Sequence, residues 1–220
     1  MPALAQRLHH LLAEADTSDI ASITRGLEKE SLRVTPEGDI AQTPHPKALG
    51  SALSHTDITT DYSEALLEFI TAPGEDIAKL IETLSSLHRY TYKNIDKEIL
   101  WTSSMPCMLS NDDDIPVAQY GSSNSAKMKS VYRLGLGHRY GRSMQTIAGI
   151  HYNFSVSDKL WQSLRFQDRS DLSLKDYKTQ GYFHLIRNFK RYFWLLLYLY
   201  GAAPAVCKTF VKHNNHPLVP

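Results

Sequence analysis

The stretch Arg25–Val34, RGLEKESLRV, constrains this chain more than any other. In a β-strand alternate side chains share a face, which puts Glu28 and Glu30 with Leu32 and Val34. Two carboxylates on an otherwise apolar face are costly to bury unless a cation neutralises them. A hard divalent ion such as Mg²⁺ is one solution, because such ions take oxygen ligands. A sheet face open to water is the other, and there two glutamates need no explanation.

The 220 residues, 42% hydrophobic and 21% charged, fit one large globular domain or part of a bigger protein. A formal net charge of +1 gives no electrostatic reason to expect nucleic acid as the main partner. The most apolar run, Phe193–Tyr200, is too short to cross a bilayer and is soon punctuated by Gly201 and Pro204, so no membrane partner is expected. A buried helix end is expected instead. The two cysteines, Cys107 and Cys207, lie far apart, and no apolar signal region opens the chain. Free buried thiols and a cytoplasmic location follow as expectations. The segment Lys212–Pro220 carries neither cap nor periodic pattern, like a chain that stops in mid-loop.

Hydrophobic periodicity orders the elements. Leu4, Leu8, Leu11 and Leu12 predict an opening helix over 3–15. A strand over 26–34 leads into the turn Thr35–Asp39, with Ile40–Thr43 as a hairpin partner. A short helical turn is expected within the loop 44–54. Ile58–Asp61 and Leu66–Thr71 are rich in β-formers and read as strands, with a helix over Ser63–Phe69 as the alternative. Ile77, Leu80, Ile81, Leu84 and Leu87 mark a helix over about 75–95, with Glu75 and Asp76 at its positive end. Trp101–Leu109 looks extended, and Asn111–Asp114 reads as a solvated acidic turn. Residues 123–140 read as a helix weakened by Gly135 and Gly137. Met144–Val156 is the clearest strand, with Ile150, Tyr152, Phe154 and Val156 on a packing face. Gly149, His151, Asn153 and Ser155 form its small, polar face. Helices over 157–167 and 175–200 follow, the second with Tyr182, Ile186, Phe189 and Phe193 inward. Gly201 is its cap, and Pro204 starts another short helix. Strands with polar faces and no βαβ repeat predict an α+β fold with a mainly antiparallel sheet. No Walker or dinucleotide glycine motif is present.

A lone strand histidine is ordinarily a satisfied structural residue. His151 stands out because Gly149 clears space beside it and Asn153 repeats the polarity. Glu68, flanked by Leu66, Leu67, Phe69 and Ile70, needs a partner if it is buried and ionised. Together with Asp61, these groups supply several carboxylates and one imidazole on separate strands. That donor set favours Mg²⁺ or Mn²⁺ over zinc.

The motifs RGLEKESLRV, HTDITTDYSEALLEFIT, MPC, AQYGSSN, MQTIAGIHYNFS and GYFHLIRN…YLYGAAPAVC resemble the N-terminal part of bacterial, proteobacterial-type glutamate–cysteine ligases. The likeness runs in order from about residue 24 to about residue 210. It implies that residues 1–220 are the N-terminal portion of a single catalytic domain, truncated within a glutamine-synthetase-like curved antiparallel sheet with flanking helices. It also implies ATP- and Mg²⁺-dependent ligation of the L-glutamate γ-carboxylate to L-cysteine through γ-glutamyl phosphate, the first step of glutathione biosynthesis. Glu28, Glu30, Asp61, Glu68 and His151 match metal-site positions. Gln145 and Asn153 match positions near glutamate, and Tyr62 and Tyr132 match positions near cysteine. Tyr62 departs from many relatives, which carry phenylalanine there. Arg133 reads as a surface residue, with steadying of a substrate carboxylate or phosphate as its alternative. No side chain is implied as an acid or base. Two alternatives stand beside this: a ligase of the same superfamily that takes another amine, or an inactive fragment.

Overall fold

The computed structural model describes residues 22–201 apart from Cys107, together with residues 5, 6, 9, 12 and 13. Those five isolated positions are helical, as the leucine spacing predicts. The rest of the opening helix, both cysteines, the helix expected after Pro204 and the segment 212–220 lie outside the described residues.

The chain divides into two compact units. Among the described residues, one takes 26–153 and the other takes those up to Arg25 together with 154–201. The strands are β1 (Ile23–Val34), β2 (Ile58–Thr60), β3 (Leu66–Ile70), β4 (Ile99–Leu100) and β5 (Ile150–Val156). The helices are α1 (Ile77–Tyr92), α2 (Asn124–Tyr140), α3 (Asp158–Gln167) and α4 (Leu174–Tyr200). The sheet runs β2-β3-β1-β4, with β5 also on β1, and the β1–β3, β2–β3 and β1–β4 pairs are antiparallel. A mixed α+β fold with an antiparallel sheet is therefore present, as expected.

Alternation on β3 explains how one sheet serves as both core and site. Leu67 and Phe69 point to one face, where they pack with Ile58, Leu49, Ile95 and Leu100 under Leu84 and Leu87 of α1. Asp76 caps that helix, its side chain accepting from the Lys79 amide. The other face holds Leu66, Glu68 and Ile70. Register sets Leu32 opposite Leu66, Glu30 opposite Glu68 and Glu28 opposite Ile70. Leu32 and Leu66 are buried with Val34, Ile40, Tyr62 and Ile115. The face is thus apolar at one end and acidic at the other. On the reverse face of β1, Arg33 is fully buried. Its Nη1 donates to Glu98 at 2.6 Å and to Thr43 at 2.7 Å, and its Nη2 donates to the Glu64 carbonyl at 2.9 Å.

Several expectations need correction. Ile40 returns to Val34 through a single bridge, and no hairpin strand follows. Just before the segment expected to be extended, Ile99–Leu100 forms a short strand, and within that segment Met108 bridges to Asp39. The strand expected from Met144 begins at Ile150. Residues Ser143–Thr146 instead form a 3₁₀ turn, because the Asp112 carboxylate accepts from the Arg142 and Ser143 amides and from the Ser143 hydroxyl. The acidic loop is accordingly an anchor as well as a turn.

On the apolar face of β5, Ile150, Tyr152 and Phe154 are exposed and Val156 is half-buried. Ile186, Phe189, Phe193 and the Phe193–Tyr200 run are exposed as well, and α4 has no buried residue. Periodicity locates an apolar stripe but does not supply the surface that covers it. What α4 does pack against is α3, where the Trp161 ring lies 5.1 Å from that of Tyr182 and 6.2 Å from that of Tyr177. Among the described residues no helix is long and apolar enough to cross a membrane.

Candidate metal centre

The acidic end of the sheet face lies entirely within the unit 26–153. Glu30 and Glu68 are directly opposed across antiparallel strands, an arrangement that is unfavourable for like charges. Glu28 is two residues along β1 on the same face. One oxygen of Glu28, one of Glu68 and one ring nitrogen of His151 all lie within 4.8 Å of one another. Asp61, just past the end of β2, acts electrostatically on both Glu30 and Glu68.

β5 contributes the remaining side chains. Its pairing with β1 begins at Glu30, whose amide donates to the Gly149 carbonyl at 3.0 Å, while the Gly149 amide returns a 2.7 Å bond to the Glu30 carboxylate. The period of two then brings His151 and Asn153 onto Glu28. His151 Nδ1 lies 2.8 Å from Glu28 Oε2, and Asn153 Nδ2 donates to Oε1 at 2.7 Å. A Cβ on Gly149 would stand 3.6 Å from Glu30 Oε2 and 4.0 Å from His151 Nε2. The two groups therefore converge over the glycine.

Electrostatics separate the acids. The hydrogen bond from His151 is the largest influence on Glu28 and holds its carboxyl below the usual range. Glu68 is pushed up to about 7, first by burial and then by the charges of Asp61, Glu30 and Glu28. Glu30 is raised for the same reasons, offset by the Gly149 amide. His151 is raised by its bond to Glu28 and by the surrounding carboxylates. This cluster has more negative charge than its own imidazole can balance, which is the condition a divalent cation relieves. The donors are carboxylate oxygens and one imidazole, a set suited to Mg²⁺ or Mn²⁺. A proton on Nδ1 shared with Glu28 leaves the Nε2 lone pair free for a ligand.

All five residues expected at a metal site, Glu28, Glu30, Asp61, Glu68 and His151, are on this face or at its edge, and Asn153 joins them through Glu28. The other three are on different elements. Gln145 is half-buried on the 3₁₀ turn, and Tyr132 stands 59% exposed on α2. Tyr62 is 1% exposed within the core, its hydroxyl buried without a hydrogen-bond partner and pressed against Gly137.

Two contributors escape a reading of the sequence. The Arg133 side chain is not a free surface group: Nε donates to the Asp61 carbonyl and the guanidinium lies 4.7 Å over the Tyr120 ring. The Lys129/Arg133 spacing hints at a shared helix face, but nothing in the sequence marks Tyr120 as its target.

A sequence profile of the glutamate-cysteine ligase family matches residues 8–219. The chain belongs to that family. It is 58% identical to a glutamate–cysteine ligase of Alcanivorax borkumensis over 219 residues, 100% of this chain and 42% of that protein. Identity to the enzyme of Saccharophagus degradans is 57%, over 91% of this chain and 38% of the relative. Among solved structures, the glutamate–cysteine ligase of Francisella tularensis in complex with AMP superposes with a TM-score of 0.79 at 45% identity. That match covers 87% of this chain and 37% of the other. A bifunctional glutathione synthetase from Pasteurella multocida gives a TM-score of 0.82 at 32% identity, over 98% of this chain and 27% of the other. This family member thus spans about two-fifths of the curated relatives it matches.

Proposed function

We propose that this chain carries the metal-holding part of a ligase that joins the γ-carboxylate of glutamate to the amino group of cysteine, driven by ATP. The single observation behind the proposal is the convergence of Glu28, Glu68 and His151, flanked by Glu30 and Asp61, in a member of the glutamate–cysteine ligase family. Support for a nucleotide comes from the AMP named with the Francisella relative.

In the proposed reaction the glutamate γ-carboxylate attacks the terminal phosphorus of ATP, giving γ-glutamyl phosphate and ADP. The cysteine amine then attacks the acyl carbon, expels phosphate and loses a proton as the amide forms. Bringing one anion to a polyanion needs neutralisation of the phosphate oxygens, and that is what Mg²⁺ supplies when bound. The chain's own acids cannot neutralise phosphate; their part is to hold the cation. Glu28, Glu30, Asp61, Glu68 and His151 are the proposed ligands, with Asn153 fixing the Glu28 carboxylate. Gln145 and Asn153 are proposed to face glutamate and Tyr132 to face cysteine. Tyr62 would act from below, through its packing on Gly137 in the helix that carries Tyr132.

ADP release that requires glutamate, cysteine and Mg²⁺ together tests this reading. Glu28→Gln should reduce it by about 100-fold or more, with the far-ultraviolet circular dichroism unchanged. Near-normal turnover in that variant would rule out Glu28 as a ligand. Faster turnover with another amine in place of cysteine would point to a different ligase of the superfamily.

A further inference from the structure

Asp61 has the hardest position to hold among the five acidic-site residues. It follows the last residue of β2, outside the ladder that fixes Glu28, Glu30 and Glu68. Its charge and those of Glu30 and Glu68 repel one another. Its backbone is nevertheless gripped from both sides. The Asp61 amide donates to the Leu66 carbonyl at 3.0 Å. The Asp61 carbonyl accepts from two side chains, one on a helix and one on the loop before it. One is Arg133 Nε on α2, and the other is the Tyr120 hydroxyl at 3.1 Å.

These two side chains also hold each other. The Tyr120 hydroxyl is buried, accepts from Thr60 Oγ1 at 3.1 Å, and shares its single proton between the Thr60 carbonyl at 2.8 Å and that of Asp61. The Tyr120 ring lies beneath both cations of an i, i+4 pair on α2, with Lys129 Nζ at 5.0 Å and the Arg133 guanidinium carbon at 4.7 Å. Arg133 Nη1 closes the loop by donating to the Lys129 carbonyl at 3.1 Å. The result is a brace of one tyrosine and one arginine that ties the end of β2 to α2 at the residue bearing the acid.

We infer that Tyr120 and Arg133 are positioning residues for the metal centre, holding the Asp61 carboxylate toward Glu30 and Glu68 against their repulsion. The inference rests on the metal reading given above. Neither side chain touches the cation; both act through the Asp61 backbone, as outer partners of a ligand commonly do.

The test is a Mn²⁺ titration of the 220-residue chain followed by electron paramagnetic resonance, in wild type, Arg133→Met, Tyr120→Phe, Asp61→Asn and the two pairwise combinations with Asp61→Asn. Arg133→Met and Tyr120→Phe are each expected to weaken Mn²⁺ binding by about tenfold. In the Asp61→Asn background neither should weaken it further, because the brace then has no charged ligand to aim. A merely structural role would give the same loss in both backgrounds and would overturn the inference, as would wild-type affinity in both single variants. Should Arg133→Met fail to fold, Tyr120→Phe, which removes one oxygen, decides the matter alone. A wild-type chain that does not bind Mn²⁺ would remove the metal reading and the inference together.

Discussion

Glu68 makes the residue-level conflict explicit. It is a proposed ligand yet sits on β3 opposite Glu30, in surroundings that raise its carboxyl to about 7. A folded-state value above the ordinary 4.5 means the folded protein binds more protons than the unfolded one between those limits. Stability is therefore fully supported by this group at low pH and is lost as pH rises through about 7. Glu68→Gln mimics the protonated form. In metal-free buffer the variant should melt close to wild type at acid pH. By pH 8 it should melt a few degrees higher, the gain being about 1 kcal/mol for relief of a cross-strand like-charge pair. Added Mn²⁺ should then raise the midpoint of wild type and leave the variant unmoved. Calorimetry at both pH values with and without the ion checks all of this, and a variant that melts lower than wild type at pH 8 would contradict the repulsion.

Elements differ in how far the sequence announces them. β1, α1 and α2 follow directly from period and capping residues, and the β-formers of β2 and β3 correctly outweigh the helical alternative. The site was legible for the same reason, since the period of two places Glu28 with Glu30 on β1 and His151 with Asn153 on β5. What alternation leaves open is register, which alone decides that Glu30 faces Glu68 and that Glu28 meets His151. The start of β5 is hidden from local pattern because it depends on Asp112, about thirty residues away in the chain, gripping the turn at Ser143. The fit of α2 was equally hidden. A Cβ on Gly137 would overlap the Tyr62 hydroxyl and come 3.2 Å from Arg142 Cγ. Gly137→Ala is thus expected to destabilise by about 1–3 kcal/mol, overpacking outweighing the helix propensity of alanine. Tyr62→Phe deletes a buried hydroxyl that has no partner and should cost almost nothing. Combining the two should recover most of the loss in urea denaturation. Simple additivity of the two changes would mean that the crowding lies elsewhere.

On the scale of the whole molecule, burial is very unevenly distributed between the two units. Among the described residues, the clusters of buried hydrophobic side chains belong to 26–153, where Leu66, Leu67 and Phe69 have essentially no exposed surface. In the unit that begins at Phe154, the buried residues among those described are Leu160 and Trp161, both on α3, while α4 has none over its 27 residues. A helix of that length satisfies its own backbone hydrogen bonds, but most helical stability in proteins comes from a packed apolar face. Without one, local opening of α4 exposes little additional surface and needs little free energy. Amide hydrogen exchange on the 220-residue chain should therefore rank the elements, with β1 and β3 the slowest, α3 and the first turns of α4 around Tyr177 and Tyr182 intermediate, and the stretch from Phe189 to Tyr200 fastest. Protection in that last stretch equal to that of β3 would mean that its exposed rings are covered in solution. A rise in its protection with protein concentration would locate the cover in a second copy of the chain.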